Sequence, residues 1–117
     1  MLGRQYRLRK NRDFRFIYRR GKSLAARTLA LAYHKARKPE ELLFGFSASK
    51  KVGNAVVRNR VKRLMRENAR QRIDKIPPGY RLIFTARVAA AKADYDRIGK
   101  DMDYLLKKSG LLDKGSD

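Results

Sequence analysis

Apolar positions recur at helical spacing in the middle of the chain and at strand spacing on either side of it. In residues 50–72 (KKVGNAVVRNRVKRLMRENARQR), Val57, Val61, Leu64, Met65 and Ala69 fall at i, i+4, i+7, i+8 and i+12. That is one stripe of an amphipathic helix. Arg58, Lys62, Arg63, Arg66 and Arg70 take the other side, and Asn54 is placed to cap the start. Upstream, residues 22–35 read as a short strand followed by a longer one. Leu29, Leu31 and Tyr33 alternate with Ala30, Ala32 and His34, so the large set is expected in the core and the small set on a shallow, open face. Residues 42–49 form another strand, with Leu42, Phe44, Phe46 and Ala48 facing one way and Leu43, Gly45, Ser47 and Ser49 the other. Gly45 fits either a close approach or a bulge.

Residues 80–86 (YRLIFTA) make a further strand, apolar enough to be central. Residues 94–109 predict the last helix, with Tyr95, Ile98, Met102, Leu105 and Leu106 as its buried face. Asp94 or Asp96 suits its positive end and Lys107 and Lys108 its negative end, and Gly110 is a stop. Gly99, mid-helix, carries a propensity cost with no visible return. Near the N-terminus, Asn11 can cap a short helix that Gly21 ends. Phe14, Ile17 and Tyr18 share one face of it, whereas Phe16 points about 200° away from Phe14. Residues 1–10 read as a basic, poorly packed arm and 111–117 as a frayed tail. Pro39 with two acids (ARKPEE) and the IPPG run at 76–79 are breaks. Residues 87–93 are a small-residue connection.

The expected architecture is one domain over residues 1–117. It is an α/β (α+β) two-layer sandwich, a small mixed four-stranded sheet with three helices in the order α-β-β-β-α-β-α. The central helix can join parallel neighbours, a crossover that the general rule makes right-handed.

Charge changes the picture. The 117 residues carry 31 Lys or Arg against 11 Asp or Glu, a formal net charge of +20. Nine basic groups and one acid, Glu67, lie within residues 50–72. Like charges at i, i+4 repel by some tenths of a kcal/mol per pair, a cost that a polyanion relieves. A solvated charged surface is the bland reading, but a pI near 11.0 is a nucleic-acid footprint. Residues 93–117 hold five basic groups and six acids, so the binding surface is expected on the N-terminus and central helix. Phe14 and Tyr18 read either as core or as a platform for unpaired bases.

Several classes fall away. Cysteine is absent and His34 is the only histidine, which removes disulfides, thiolate sites and His clusters. No apolar run approaches the roughly 20 residues of a spanning helix, and the N-terminus lacks the apolar region of a secretory signal. A basic helix lying on a membrane would have a larger apolar face and no folded core. The acids are scattered. Asp94, Asp96, Asp101 and Asp103 could pair at helical spacing as metal ligands, but a solvated helix face is the simpler reading.

Residues 47–66 (SASKKVGNAVVRNRVKRLMR) closely resemble the protein subunit of bacterial ribonuclease P. The hallmark is Arg58-Asn59-Arg60, preceded by Lys50, Lys51, Gly53 and Ala55 and followed by Lys62-Arg63. Residues 8–21 and the strand at 80–86 with Arg87 also fit, so the resemblance spans about residues 6–108. It implies a left-handed βαβ crossover, against the general rule. It also implies a non-catalytic subunit of the ribonucleoprotein that cuts the 5′ leader from precursor tRNA, with catalysis by the RNA subunit using Mg²⁺.

Carried over, Lys51, Asn54, Arg58, Asn59, Arg60, Lys62, Arg63 and Arg66 would face the catalytic RNA. Phe14 and Tyr18 would line the leader cleft, with Ala30, Ala32, His34, Ser47 and Ser49 on the small-residue face. Family members often carry an aromatic where Ala32 stands, and only a bulge would bring Tyr33 there. The partners implied are the catalytic RNA and the precursor leader, with no membrane and no DNA, in the cytoplasm. The competing readings are a ribosomal-type structural RNA-binding protein and a stand-alone basic nuclease, the latter needing clustered carboxylates for its metals.

Overall fold

The computed structural model describes residues 3–112. Three helices, α1 (Asn11–Arg20), α2 (Ala55–Arg70) and α3 (Tyr95–Ser109), combine with strands β1 (Lys22–Ala25), β2 (Leu29–Lys35), β3 (Leu42–Ala48) and β4 (Tyr80–Ala86). The sheet order is β1-β2-β4-β3, antiparallel except for the parallel β3–β4 pair. Strand parity divides the sheet into two faces as the alternation requires. Leu29, Leu31, Leu42, Phe44, Leu82 and Phe84 face the main core with α2 and α3, while Ala32 and Ile83 form a smaller cluster with Leu8 and Ile17 under α1. The result is a sheet-and-helix sandwich with α1 laid across the opposite face.

α2 leaves β3 and returns to β4, and its hand follows from one residue. Phe44 turns its side chain toward α2, while its carbonyl accepts from Leu8 N at 2.8 Å, on the edge away from β4. In a strand of L-residues running upward and viewed from the side-chain side, that carbonyl points right. β4 therefore lies to the left, and the crossover through α2 in front is left-handed, the rarer hand.

The same bond corrects the reading of residues 1–10. Arg7 bridges to Phe44 in parallel and Leu8 is buried, so the described part of this segment is packed along the β3 edge rather than loose. At the other end Leu111 is buried and Gly110 takes a left-handed conformation (φ 81°) that closes α3. The rest of the expected tail, residues 113–117, lies outside the described residues. Asn11 is the first residue of α1 and makes no capping bond; Lys10 holds the cap position. Gly21 does end that helix, in an extended conformation with its N–H on the Ile17 carbonyl.

α2 is locked against its neighbours at two points. Asn68, buried, donates from Nδ2 to the carbonyls of Leu64 and Tyr95, and Arg72 donates to Asp103, to Asn68 and to the Gly99 carbonyl. Gly99 is the notch that admits this network, since a Cβ there would lie 2.6 Å from Asn68 Oδ1 and 3.0 Å from an Arg72 amine. Tyr95, expected in the buried face, is exposed and contributes its carbonyl instead. Farther up α2, Arg60 donates to the carbonyls of Ala91 and Ala93, pinning α2 to the short 3₁₀ turn Val88–Lys92.

Two outcomes are expected. Gly99→Ala gains up to about 1 kcal/mol of helix propensity but is destabilising overall, because overpacking costs about 1–3 kcal/mol. A raised melting temperature would show that the Asn68–Arg72 network yields freely. Arg60→Ala lowers unfolding free energy by about 1–3 kcal/mol through loss of charged hydrogen bonds, whereas Arg63→Ala, on an exposed surface, changes it by less than about 0.5 kcal/mol. Equal effects in urea melts would remove the tethering role.

Candidate nucleic-acid interface

α2 presents its cations because its apolar stripe has only one place to go. Val61, Met65 and Ala69 are buried in the main core, with Val57 and Leu64 packed beside them. Asn54 fixes the start, its Oδ1 accepting from Val57 N at 3.0 Å. The remaining arc carries Arg58, Asn59, Lys62, Arg63 and Arg66 toward solvent, with Lys51 exposed just before the helix. Among the described residues none of these cations pairs with a carboxylate; the ion pairs involve Arg70, Arg72, Arg81 and Arg97 instead.

The cluster carries an excess of positive charge that Glu67 offsets only in part. The Nε groups of Arg7, Arg58 and Arg66 are withdrawn from solvent with no acceptor among the described residues. Burial, then the charges of Arg7 and Arg63, lower the Arg66 pKa below the usual guanidinium value, an effect Glu67 partly opposes. A guanidinium does not discharge, so an anion would relieve this repulsion. Arg60 is the member of the expected set that stands apart, with its guanidinium committed to two backbone carbonyls. Arg7 is a contributor that the sequence hid, because only the docking of its segment on β3 brings it beside α2.

On the α1 face the aromatic expectation separates into two places. Phe14 lies over Gly45, where a Cβ would sit 2.5 Å from the ring; the strand pairing runs through Gly45 without a bulge. Tyr18 stands next to it, 6.5 Å ring to ring, with its hydroxyl 2.9 Å from Thr85 Oγ1. Ile17 between them is buried, as their shared face requires. Ser47 and Thr85 are register partners on this face, as are Thr85 and Ala30, and Ser49 is exposed just past the end of β3. These groups set two aromatic rings beside hydroxyls and small residues on this face of the sheet. Thr85 was readable only as the parity partner of Ala30.

Two expected members lie elsewhere. Ala32 is buried beneath α1 with Leu8, Ile17 and Ile83, so it offers no cleft surface. β2 runs in unbroken register with β4, and Tyr33 packs toward the main core, so no bulge brings its ring to Ala32's side. His34 sits at the far end of β2, edge-on to Phe16 at 5.1 Å.

Three of the four acids between residues 94 and 103 are occupied structurally. Asp94 caps α3, Asp101 is buried and accepts from Thr28 while pairing with Arg97, and Asp103 holds Arg72. Among the described residues no group of three His, Cys, Asp or Glu is placed to hold a metal ion. No helix among them is long and apolar enough to cross a membrane.

A family model described as Ribonuclease P matches residues 2–110. A ribonuclease P protein component of Clostridium perfringens is 46% identical over 112 residues, covering 91% of this chain and 90% of the relative. Among solved structures, the RNase P protein of Staphylococcus aureus superposes with a TM-score of 0.84 at 34% identity, covering 92% of this chain and 97% of that one. The RNase P protein of Thermotoga maritima does so with 0.78 at 29% identity, covering 87% and 96%. With this match along nearly the whole chain, and with the left-handed crossover and cationic α2 in place, the chain belongs to the ribonuclease P protein component family, whose function is 5′ processing of tRNA.

Proposed function

We propose that the protein bridges two RNAs from opposite faces of its sheet. Arg58, Asn59, Lys62, Arg63 and Arg66 on α2, with Lys51 before it, bind phosphates of the catalytic RNA. Phe14 and Tyr18 with Ser47, Ser49, Ala30 and Thr85 hold unpaired nucleotides of the precursor leader. The single observation that carries this reading is the cationic arc of α2, half-buried to exposed and without carboxylate partners among the described residues. Asn54 acts by holding the helix start, and Arg60 by holding α2 in place.

The division of labour follows from the chemistry of each face. Guanidinium groups on a rigid helix match phosphate oxygens but read no sequence. Aromatic rings over a small-residue floor accept stacked bases, as single-stranded RNA recognition requires. Mg²⁺ supplies charge stabilisation when bound, and its ligands are expected from the RNA: Asp13, Glu41, Asp94, Asp101 and Asp103 are engaged in a cap and ion pairs. The protein's own contribution is to position substrate and hold the RNAs together in the cytoplasm. A ribosomal-type role would need only the α2 surface and would leave the aromatic cleft without use.

Three measurements test this. The isolated protein leaves precursor tRNA intact, and cleavage at low Mg²⁺ requires both the protein and the catalytic RNA; cutting by the protein alone would point to the nuclease reading. Replacing Arg58, Arg63 and Arg66 with Ala weakens binding to the catalytic RNA and flattens its dependence on log salt by roughly 0.7–0.9 for each phosphate no longer neutralised. An unaltered slope would mean that α2 faces elsewhere. Phe14→Ala weakens holoenzyme binding of leader-bearing precursor by about 1–3 kcal/mol and leaves mature tRNA unaffected; equal losses for both would assign Phe14 to packing alone.

A further inference from the structure

α1 has a second aromatic side that the leader reading does not use. Phe16 points away from Phe14 and Tyr18 and remains 43% exposed. It stands in a groove of about 500 Å³ between α1 and the turn that follows β2, lined by Arg12, Arg19, His34, Lys35 and Arg37 among others. His34 meets Phe16 edge to face, 5.1 Å between centroids and 77° between planes. A T-shaped contact occupies one face of one ring, so a ring face remains for a ligand. The Nδ1 atom of His34 donates to the Lys35 carbonyl at 2.9 Å, which leaves Nε2 as the acceptor of the neutral ring.

The electrostatics select the ligand's charge. The acid in the groove wall, Asp13, faces Arg81 at 3.6 Å, and Arg81 is also held by Glu41 at 3.0 Å. That trio carries one net negative charge, with both carboxylates held on Arg81. Arg12, Arg19, Lys35 and Arg37 are exposed and, among the described residues, have no carboxylate partner. Four cations outweigh that one net negative charge around an exposed phenylalanine, which fits a polyanion with flat apolar groups, single-stranded RNA.

Which RNA follows from placement. His34 shares its face of the sheet with Ala30 and Thr85, and α1 separates the groove from the Phe14–Tyr18 cleft. The α2 cations lie beyond the opposite face. The groove is thus on the substrate side, clear of the surface assigned to the catalytic RNA. We propose that it is a second subsite for single-stranded substrate RNA. A base of the leader, beyond the nucleotides at Phe14 and Tyr18, stacks on Phe16 while Arg12, Arg19 and Arg37 hold its phosphates. This rests on the leader-cleft reading and extends it to longer leaders.

The experiment uses reconstituted holoenzyme with two precursor tRNAs, one with a leader just long enough to fill the Phe14–Tyr18 cleft and one with a longer leader. Phe16→Ala is expected to weaken binding of the long-leader precursor roughly fivefold or more, the lower end of one stacked base, and to leave the short-leader precursor unchanged. Phe16→Trp retains the affinity. Arg37→Glu, in an exposed turn where the fold is not at risk, gives the same length-dependent loss through charge. Equal loss for both leaders would move the occupant to another RNA, and no loss for the long leader would leave Phe16 a bystander; either result overturns the proposal. Phe14→Ala on the short leader reports on the cleft alone, so failure of the cleft reading is seen separately.

Discussion

The docking of α2's apolar stripe on the β3–β4 pair is the constraint on which the rest depends. Val61 and Met65 are fully buried, and each such side chain contributes about 1.5–3 kcal/mol relative to exposure. That holds α2 at a single rotation about its axis. The Asn68–Arg72–Gly99 contact and the Arg60 tether hold its position along and across the sheet. The helix cannot roll to bring its arginines to the acids of α3. Asp101 and Asp103 are in turn engaged by Thr28, Arg97 and Arg72. A field of unpaired positive charge is the geometric consequence.

The sheet then works as a partition. One face is closed by α2 and α3, and the cations of α2 stand beyond it. The other is only partly closed by α1, which leaves the small-residue strip beside Phe14 and Tyr18 and the cationic groove beside Phe16. In the proposed function, phosphate binding and base stacking fall on separate sides of one rigid body, so that one protein would touch a folded RNA and an unpaired strand together. The left-handed crossover belongs to the same arrangement. The strand order sets β3 at the sheet edge, free on one side to receive Arg7 and Leu8, and the hand of the crossover sets α2 on the face opposite α1.

Local patterns along the chain were readable wherever neighbours in sequence determined the outcome. The α2 stripe, the parity of β2 and β3, the Asn54 cap and the Gly110 stop each depend on residues within a few positions of one another. Where the outcome depended on distant groups, the reading failed or stayed open. Leu8 looked like part of a loose basic arm because its burial depends on Ile17, Ala32 and Ile83. Arg60 looked like its neighbours in the Arg58-Asn59-Arg60 motif because its carbonyl acceptors lie more than thirty residues on. Gly99 looked like a defect because its reason is a side chain on another helix.

The sequence by itself determined that this is a basic α/β domain with an amphipathic, arginine-rich central helix, because charge and hydrophobic period are properties of the chain. Its motif was long enough to indicate the family. Only the tertiary structure decided which arginines are free for a ligand and which serve the fold. It also decided that Phe14 and Tyr18 adjoin over Gly45 and Thr85 while Phe16 and His34 share a groove, and that Arg7 joins the α2 cluster. Those outcomes turn on where separate segments meet, and a meeting of segments distant in sequence is fixed by packing of the whole core.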